Sequence, residues 1–214
     1  MAQTEQPKEN TPQVTAKSGK GKASGVVSEL SLFWTVKPGH EQALRAALDR
    51  FADRVARLDP EVSMRTGLRD VRLTVFDNGT RFLFGSSFES DWDPYIDDVL
   101  LVVGISYFLD WIQHLEEGGK IMAWAEENGI TNLDPSDPKT EETLKRAGAQ
   151  FKALIQEQQV PAQQYANLLG QYTIPQIAKA ARLEEAFQQV LDDPDAAEAL
   201  QHPALKPLLE QAAD

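Results

Sequence analysis

Residues 71–88 read VRLTVFDNGTRFLFGSSF, and this stretch decides the fold. Two runs with alternating apolar residues flank Asn78-Gly79, the pair of residues that best tolerates the positive φ angles of a type I′ turn. We therefore predict a β-hairpin with a two-residue loop. In this register Val75 faces Phe82 across the hairpin, and the apolar residues of both strands share one side.

The other side of the hairpin carries a mixture of charged, polar and apolar side chains. Such a mixture is typical neither of a solvent-exposed surface nor of a core, and we expect it to line a pocket or to meet another subunit. A last strand predicted at 163–169 contributes one further residue. The candidates for this pocket or dimer face are Arg72, Thr74, Phe76, Arg81, Leu83 and Tyr165.

Outside the hairpin, apolar periodicity predicts the remaining elements. A strand begins near Glu29, and a helix follows it at 44–58. After the hairpin, Asp93 is a good N-cap for an apolar helix with a break near Gly104. Residues 120–160 are predicted to form a helical insertion. The order is that of a ferredoxin-like α+β unit, β-α-β-β-α-β, whose sheet has helices on one face only.

The chain therefore divides into three predicted parts. Residues 1–27 contain few large apolar side chains and are expected to be a disordered arm. Residues 28–170 form the ferredoxin-like α+β domain, and residues 171–214 form a C-terminal helical tail that opens with a capping box at Thr173. The bare sheet face needs cover, either from a second copy in a dimer or from the insertion or tail of the same chain.

Composition excludes several classes of function. The 214 residues carry a formal net charge of −12, which argues against nucleic acid as a partner. Without cysteine the chain has no disulfide and no thiol nucleophile, which suits the cytoplasm. We also expect no signal peptide, since the N-terminus lacks an apolar stretch, and no membrane span, since no apolar run approaches roughly 20 residues.

Residues 1–24 depart from this acidic character. They carry four lysines against two glutamates, so that the arm is locally basic. Such an arm could bind an acidic protein partner. The alternative, a plain solubilising tail, is the more frequent role of a charged terminus.

A wider resemblance rests on the hairpin and the start of the helix after it. The residues that carry it are Arg81-Phe82-Leu83-Phe84, Phe88, Trp92-Asp93, Tyr95 and Asp97-Asp98. Over roughly residues 28–170 the chain resembles the dimeric α/β-barrel superfamily, and in particular a bacterial branch of unassigned function near peroxidase-related proteins. The resemblance implies a homodimer in which two bare sheet faces close into a barrel.

The superfamily includes haem-degrading monooxygenases and dye-decolourising peroxidases, but their motifs do not transfer to this chain. Residues 85–89 do not match the Gly-x-x-Asp-Gly motif of those peroxidases. The axial histidine of haem-degrading members lies earlier on the second main helix than His114 does. We expect no cofactor. His114 stays the one haem candidate, against its alternative role as a surface histidine at a helix end.

The remaining candidates have structural explanations. An acidic cluster could bind a metal ion, but three of its members, Asp93, Asp97 and Asp98, already suit a helix start, and we predict no metal site. The tryptophans and tyrosines could wall a pocket, although their spacing favours the core. Neither a serine-nucleophile motif nor a phosphate-binding loop is present. The residues of the cluster are Glu89, Asp91, Asp93, Asp97 and Asp98.

The sequence thus predicts a barrel protein that acts mainly through self-association or through a protein partner. The alternative is an oxidoreductase, peroxidase-like or monooxygenase-like, that binds haem or a small organic substrate in the sheet-lined cavity. No residue is assigned to catalysis, and whether the chain is an enzyme stays open.

Overall fold

A computed structural model of the chain describes residues 19–131 and 138–212. The protein is α+β, as predicted, with a four-stranded antiparallel sheet. The chain forms two compact units, Met1–Gln171 and Tyr172–Asp214, and the division lies one residue from the predicted one. The strands of the first unit are β1 Ala23–Ser24, β2 Val27–Thr35, β3 Leu68–Phe76 and β4 Arg81–Phe88.

The helices of the first unit pack on one face of the sheet. Trp111 stacks on Phe84 of β4 with ring centroids 5.7 Å apart and so joins a helix to the sheet. Phe51 and Phe108, whose ring centroids lie 5.0 Å apart, join two of the helices. Apolar residues at helical spacing on one side of each helix explain this packing. The helices are α1 Glu41–Ala56, α2 Pro60–Arg65, α3 Trp92–Val99, α4 Ile105–Ile112, α5 Gly119–Glu127 and α6 Pro138–Gln158.

The hairpin of β3 and β4 has the predicted register, but its loop is longer than the two residues predicted. β3 ends at Phe76 and β4 begins at Arg81, and Asp77, which precedes the Asn-Gly pair, also adopts a positive φ of 51°. Val75 is paired with Phe82. Asn78 adopts φ 53° and ψ 27°, and Gly79 adopts φ 91°, which are the angles of a type I′ turn. The amide N–H of Thr80 donates to the carbonyl of Asp77 at 3.1 Å and closes the turn.

The predicted last strand at 163–169 is wrong. The sheet order is β1-β2-β4-β3, so the short β1 lies beside β2 where the last strand was expected. Gln159 forms a single bridge with Leu32, and the N–H of Val160 donates to Ser31 at 2.9 Å. Pro161 follows and has no N–H to donate, which helps to end the pairing after one bridge.

Residues 19–27 belong to the folded unit, which corrects the prediction of a disordered arm over 1–27 for that part; residues 1–18 lie outside the described residues. The N–H of Lys20 donates to the side-chain carbonyl of Gln159 at 2.9 Å. The ammonium groups of Lys20 and Lys22 donate to the carbonyls of Glu157 and Gln163. Two lysines of the basic arm are therefore engaged within the fold.

The apolar helix after the hairpin begins at Trp92 with Asp91 as its N-cap, so the prediction of Asp93 as N-cap is wrong. The helix is broken where predicted. α3 and α4 are separated by a π-helical turn, Leu100–Gly104, in which Gly104 adopts φ 103° and ψ 122°. A side chain is strained at that φ, so glycine suits the break. The guanidinium of Arg54 donates to the carbonyls of Val102 and Val103, both at 2.9 Å, and satisfies groups that the break leaves without helical partners.

The predicted helical insertion is present as α5 and α6. Trp124 of α5 lies 5.0 Å from Phe151 of α6, and both side chains are buried. The insertion therefore adds to the core of the first unit. Residues 132–137, between the two helices, lie outside the described residues.

The second unit is helical, as predicted. Thr173 and Gln176 form the predicted capping box at the start of α7. No residue of Tyr172–Ala212, the described part of this unit, is buried. Leu183, on α7, is 67% exposed. The helices are α7 Ile174–Leu191, α8 Ala197–Leu200 and α9 Lys206–Ala212.

We predict that Gly79→Val destabilises the protein by about 1–3 kcal/mol, because a β-branched residue would be forced to a positive φ. The added side chain would also meet Glu41, whose Cγ lies 3.2 Å from the position of a Cβ. Gly79→Asn is the matched control, since asparagine tolerates this conformation. Equal urea midpoints for the two variants would contradict the account of the turn.

Candidate functional site: the open face of the sheet

The described helices of the first unit leave one side of the sheet uncovered, and residues paired across β2, β4 and β3 form three rows there. We call these nine residues the open face. The structure places five of the six predicted candidates on it, although their role stays a prediction. The rows are Thr35, Arg81 and Phe76; then Phe33, Leu83 and Thr74; then Ser31, Gly85 and Arg72.

Large apolar side chains lie exposed on the open face. Phe33 is 41% exposed and Phe76 is 38% exposed, and the half-buried Leu83 is the cross-strand partner of Phe33. Phe33 is missing from the candidates taken from the sequence. The alternation of β2 could have found it, because its neighbours Leu32 and Trp34 are buried on the opposite side.

Two arginines give the open face its charge. The guanidinium of Arg72 lies over Gly85 of the neighbouring strand, with one nitrogen 4.0 Å from the position that a Cβ would occupy. The Nε of Arg81 is buried and has no hydrogen-bond partner. Asp70 is exposed and pairs with Ser87 in the adjoining row, which lies next to the row of Gly85 and Arg72. Within the described part of the chain, these three residues form no ion pair.

Two glutamates fix the borders of the open face. Glu117 accepts hydrogen bonds from the N–H and the hydroxyl of Thr35, at 2.7 and 3.0 Å, and so holds the end of β2. Glu29 is only 4% exposed and accepts hydrogen bonds from the N–H groups of Lys22 and Ala162. The buried carboxylate thus binds two separate segments to the edge of β2. Without these hydrogen bonds, the buried carboxylate of Glu29 would destabilise the fold.

Tyr165, the sixth candidate, does not project from a strand, because the predicted strand is absent. It follows Pro161 in a connection without regular structure, and its hydroxyl is buried without a hydrogen-bond partner.

The open face does not suit haem, whose iron takes histidine, cysteine, methionine or tyrosine as axial ligand. None of its nine side chains is of these types. His114, the haem candidate, lies beyond the end of α4 and contacts His40.

The acidic cluster at the start of α3 has protein partners. The ammonium of Lys152, from α6, lies 2.9 Å from the carboxylates of both Asp93 and Asp97. Burial, and then the charge of Asp97, raise the pKa of Asp98. Glu89 pairs with Arg69. Among the residues that the structure describes, no three His, Asp or Glu side chains are grouped so as to hold a metal ion.

The four tryptophans and Tyr95 are buried in the core, as the spacing of the aromatic residues favours. The first unit contains an apolar cavity of about 30 Å³ on the helix-covered side of the sheet. The hydroxyl of Tyr95 donates to Ser86 at 3.1 Å, and burial raises the pKa of this tyrosine. A cavity of this size has room for little more than a water molecule, and its lining offers water few partners. Residues on its wall include Leu32, Phe84, Val99, Trp111, Phe151 and Ile155.

Comparison of the chain with protein-family models, with curated proteins and with solved structures found no match. Across 19–131 and 138–212, no helix combines the length and the apolar character needed to cross a bilayer.

Proposed function

We propose that this protein is an interaction module that self-associates by pairing the open face of one copy with that of another. The observation that carries the proposal is the exposure of Phe33 and Phe76 beside Leu83. Fully burying a large apolar side chain stabilises by about 1.5–3 kcal/mol, so covering the exposed parts of three such residues would contribute a few kcal/mol. A patch of this kind on a sheet is typical of a binding surface.

Charge supports a second copy as the partner. The open face and the adjoining row carry Arg72, Arg81 and Asp70, which form no ion pair within the described residues. A two-fold contact brings a patch against its own copy, so residues of both signs on one patch make it complementary to itself. An arginine of one copy can then pair with the aspartate of the other.

The arrangement of the sheet supports the finer assignment, a ferredoxin-like unit in a dimeric α/β barrel. α1 connects β2 to β3, and α3 follows β4. β2, β4 and β3 are adjacent and antiparallel. The place of a last strand beside β2 is filled by β1 and by the bridge of Gln159. Such a unit presents one bare sheet face, which a second unit covers in the barrel.

A second candidate function is the binding of a small organic anion on the open face, as in an oxidoreductase with a sheet-lined cavity. It is favoured by the Nε of Arg81, a buried donor without an acceptor. A carboxylate would accept from it in a charge-assisted hydrogen bond. Binding of benzoate, used as a probe and followed by calorimetry, should then be lost in Arg81→Gln and kept in Arg50→Gln. Absence of binding to the unmodified protein would reject this candidate.

We predict that Leu83→Glu separates the dimer into folded monomers, because it places a carboxylate at the centre of the apolar contact. Sedimentation velocity at micromolar concentration measures the mass, which is 23.8 kDa for one chain. Circular dichroism shows whether the variant is folded.

Leu101→Glu is the matched control, because Leu101 is 38% exposed but lies in the π-helical turn, outside the open face. It should sediment as the unmodified protein does. Should Leu83→Glu fail to fold, Phe33→Thr tests the same contact with a residue that suits strands. An unmodified protein that sediments as a monomer would overturn the proposal.

A further inference from the structure

Two histidines separated by 74 positions in the chain are in direct contact. The Nδ1 atoms of His40 and His114 lie 3.0 Å apart, and the ring centroids lie 5.2 Å apart. Both side chains are half-buried. His40 immediately precedes α1, and His114 lies two residues beyond the end of α4. We call this pair the histidine latch.

The latch joins two connections of the fold. The N–H of Lys37 donates to the carbonyl of His114 at 3.0 Å, and the Lys37 ammonium donates to the carbonyl of Gln113 at 2.8 Å. The N–H of His40 donates to Lys37 at 3.0 Å. The connection from β2 to α1 is therefore held against the end of α4 by the latch and by Lys37.

A hydrogen bond between two Nδ1 atoms needs one proton between them. One imidazole donates its Nδ1–H, and the other accepts with the Nδ1 lone pair. A first added proton is compatible with this bond, because an imidazolium donates to a neutral imidazole. A second proton removes the lone pair, so two donors and two positive charges would face each other at 3.0 Å.

The surroundings of the latch oppose added positive charge. Lys37 and Arg50 are cations near His114; Asp110 is the nearby anion, but Arg50 already binds it with two hydrogen bonds at 2.8 and 3.0 Å. His40 lies at the N-terminus of α1, the positive end of the helix dipole. Glu41, the first residue of α1, lies against Gly79 of the hairpin turn.

We propose that the histidine latch is an acid-sensitive switch, which holds the β2–α1 connection to the end of α4 at neutral pH and releases it when both imidazoles are protonated. The release follows the second added proton, because the Nδ1–Nδ1 hydrogen bond is compatible with the first and not with the second. The latch contains no residue of the open face, and the proposal does not depend on self-association.

The effect of pH on stability follows from the pKa of His114 in the folded protein. Burial, and next the charge of His40, lower the pKa of His114 below its ordinary value. The unfolded chain then binds more protons than the folded one in mild acid. The contribution of the latch to stability is complete above about pH 6.5, the ordinary histidine value, and is lost as the pH falls below it.

The test is an NMR titration of the full chain from about pH 7.5 to about pH 5, a range that spans the ordinary histidine value. It follows the imidazole nitrogens and the amide exchange of Lys37, with variants compared at equal pH. In the unmodified protein the protection of the Lys37 amide, relative to the intrinsic exchange rate at each pH, should fall as His114 takes up its proton. In His40→Asn the amide side chain keeps a hydrogen-bond partner without titrating, so His114 should protonate at a higher pH and the Lys37 amide should stay protected.

His202→Asn is the control, because it removes an exposed histidine of the second unit, and it should behave as the unmodified protein. Should His40→Asn fail to fold, His114→Asn gives the same comparison for the Lys37 amide. The proposal is overturned if Lys37 exchange in acid is the same in the unmodified protein and in the variant that replaces a latch histidine. It is also overturned if replacing His40 leaves the titration of His114 unchanged.

Discussion

Strand β4 is hydrogen-bonded on both edges, to β2 and to β3, and the rest of the first unit depends on the register of these two ladders. Because side chains alternate along a strand, this register assigns every residue of three strands to one face or the other. A shift by one residue would expose Phe82 and Phe84 and bury Arg81. The aromatic core and the open face are thus two consequences of the same pairing.

The two faces are completed in different ways. On the helix side Trp111 is surrounded by rings of the sheet, with Trp34, Phe82 and Phe84 at centroid distances of 5.8, 5.2 and 5.7 Å. On the other side Phe33 and Phe76 keep more than a third of their surface exposed. The core is buried by residues of one chain. We propose that the open face is buried by a second copy.

Local sequence signals predicted much of this fold. Asn78-Gly79 specified both the turn and the hairpin register, because few other residues adopt those angles. The capping box at Thr173 and the break at Gly104 were likewise predicted, since each depends on residues that are adjacent in the chain. The five candidates of the hairpin share one face for the same reason.

Contacts between distant segments could not be predicted in this way. β1 has only two residues, and the carboxylate of Glu29 binds Lys22, the residue before β1, and also Ala162. With that edge occupied, the alternating residues 163–169 have no place in the sheet. The ammonium of Lys152 lies between two carboxylates from another helix, and His40 meets His114 across the fold. Local sequence patterns carry no information about such contacts between distant residues.

The pairing of two open faces is the central claim, and isotope-filtered NMR measures it most directly. A mixture of methyl-labelled and unlabelled chains reports only contacts between copies. The account predicts cross-peaks from the Leu83 methyls of one copy to the rings of Phe33 or Phe76 of the other. Intermolecular cross-peaks from Leu101 with none from Leu83, or no intermolecular cross-peaks at all, would contradict it.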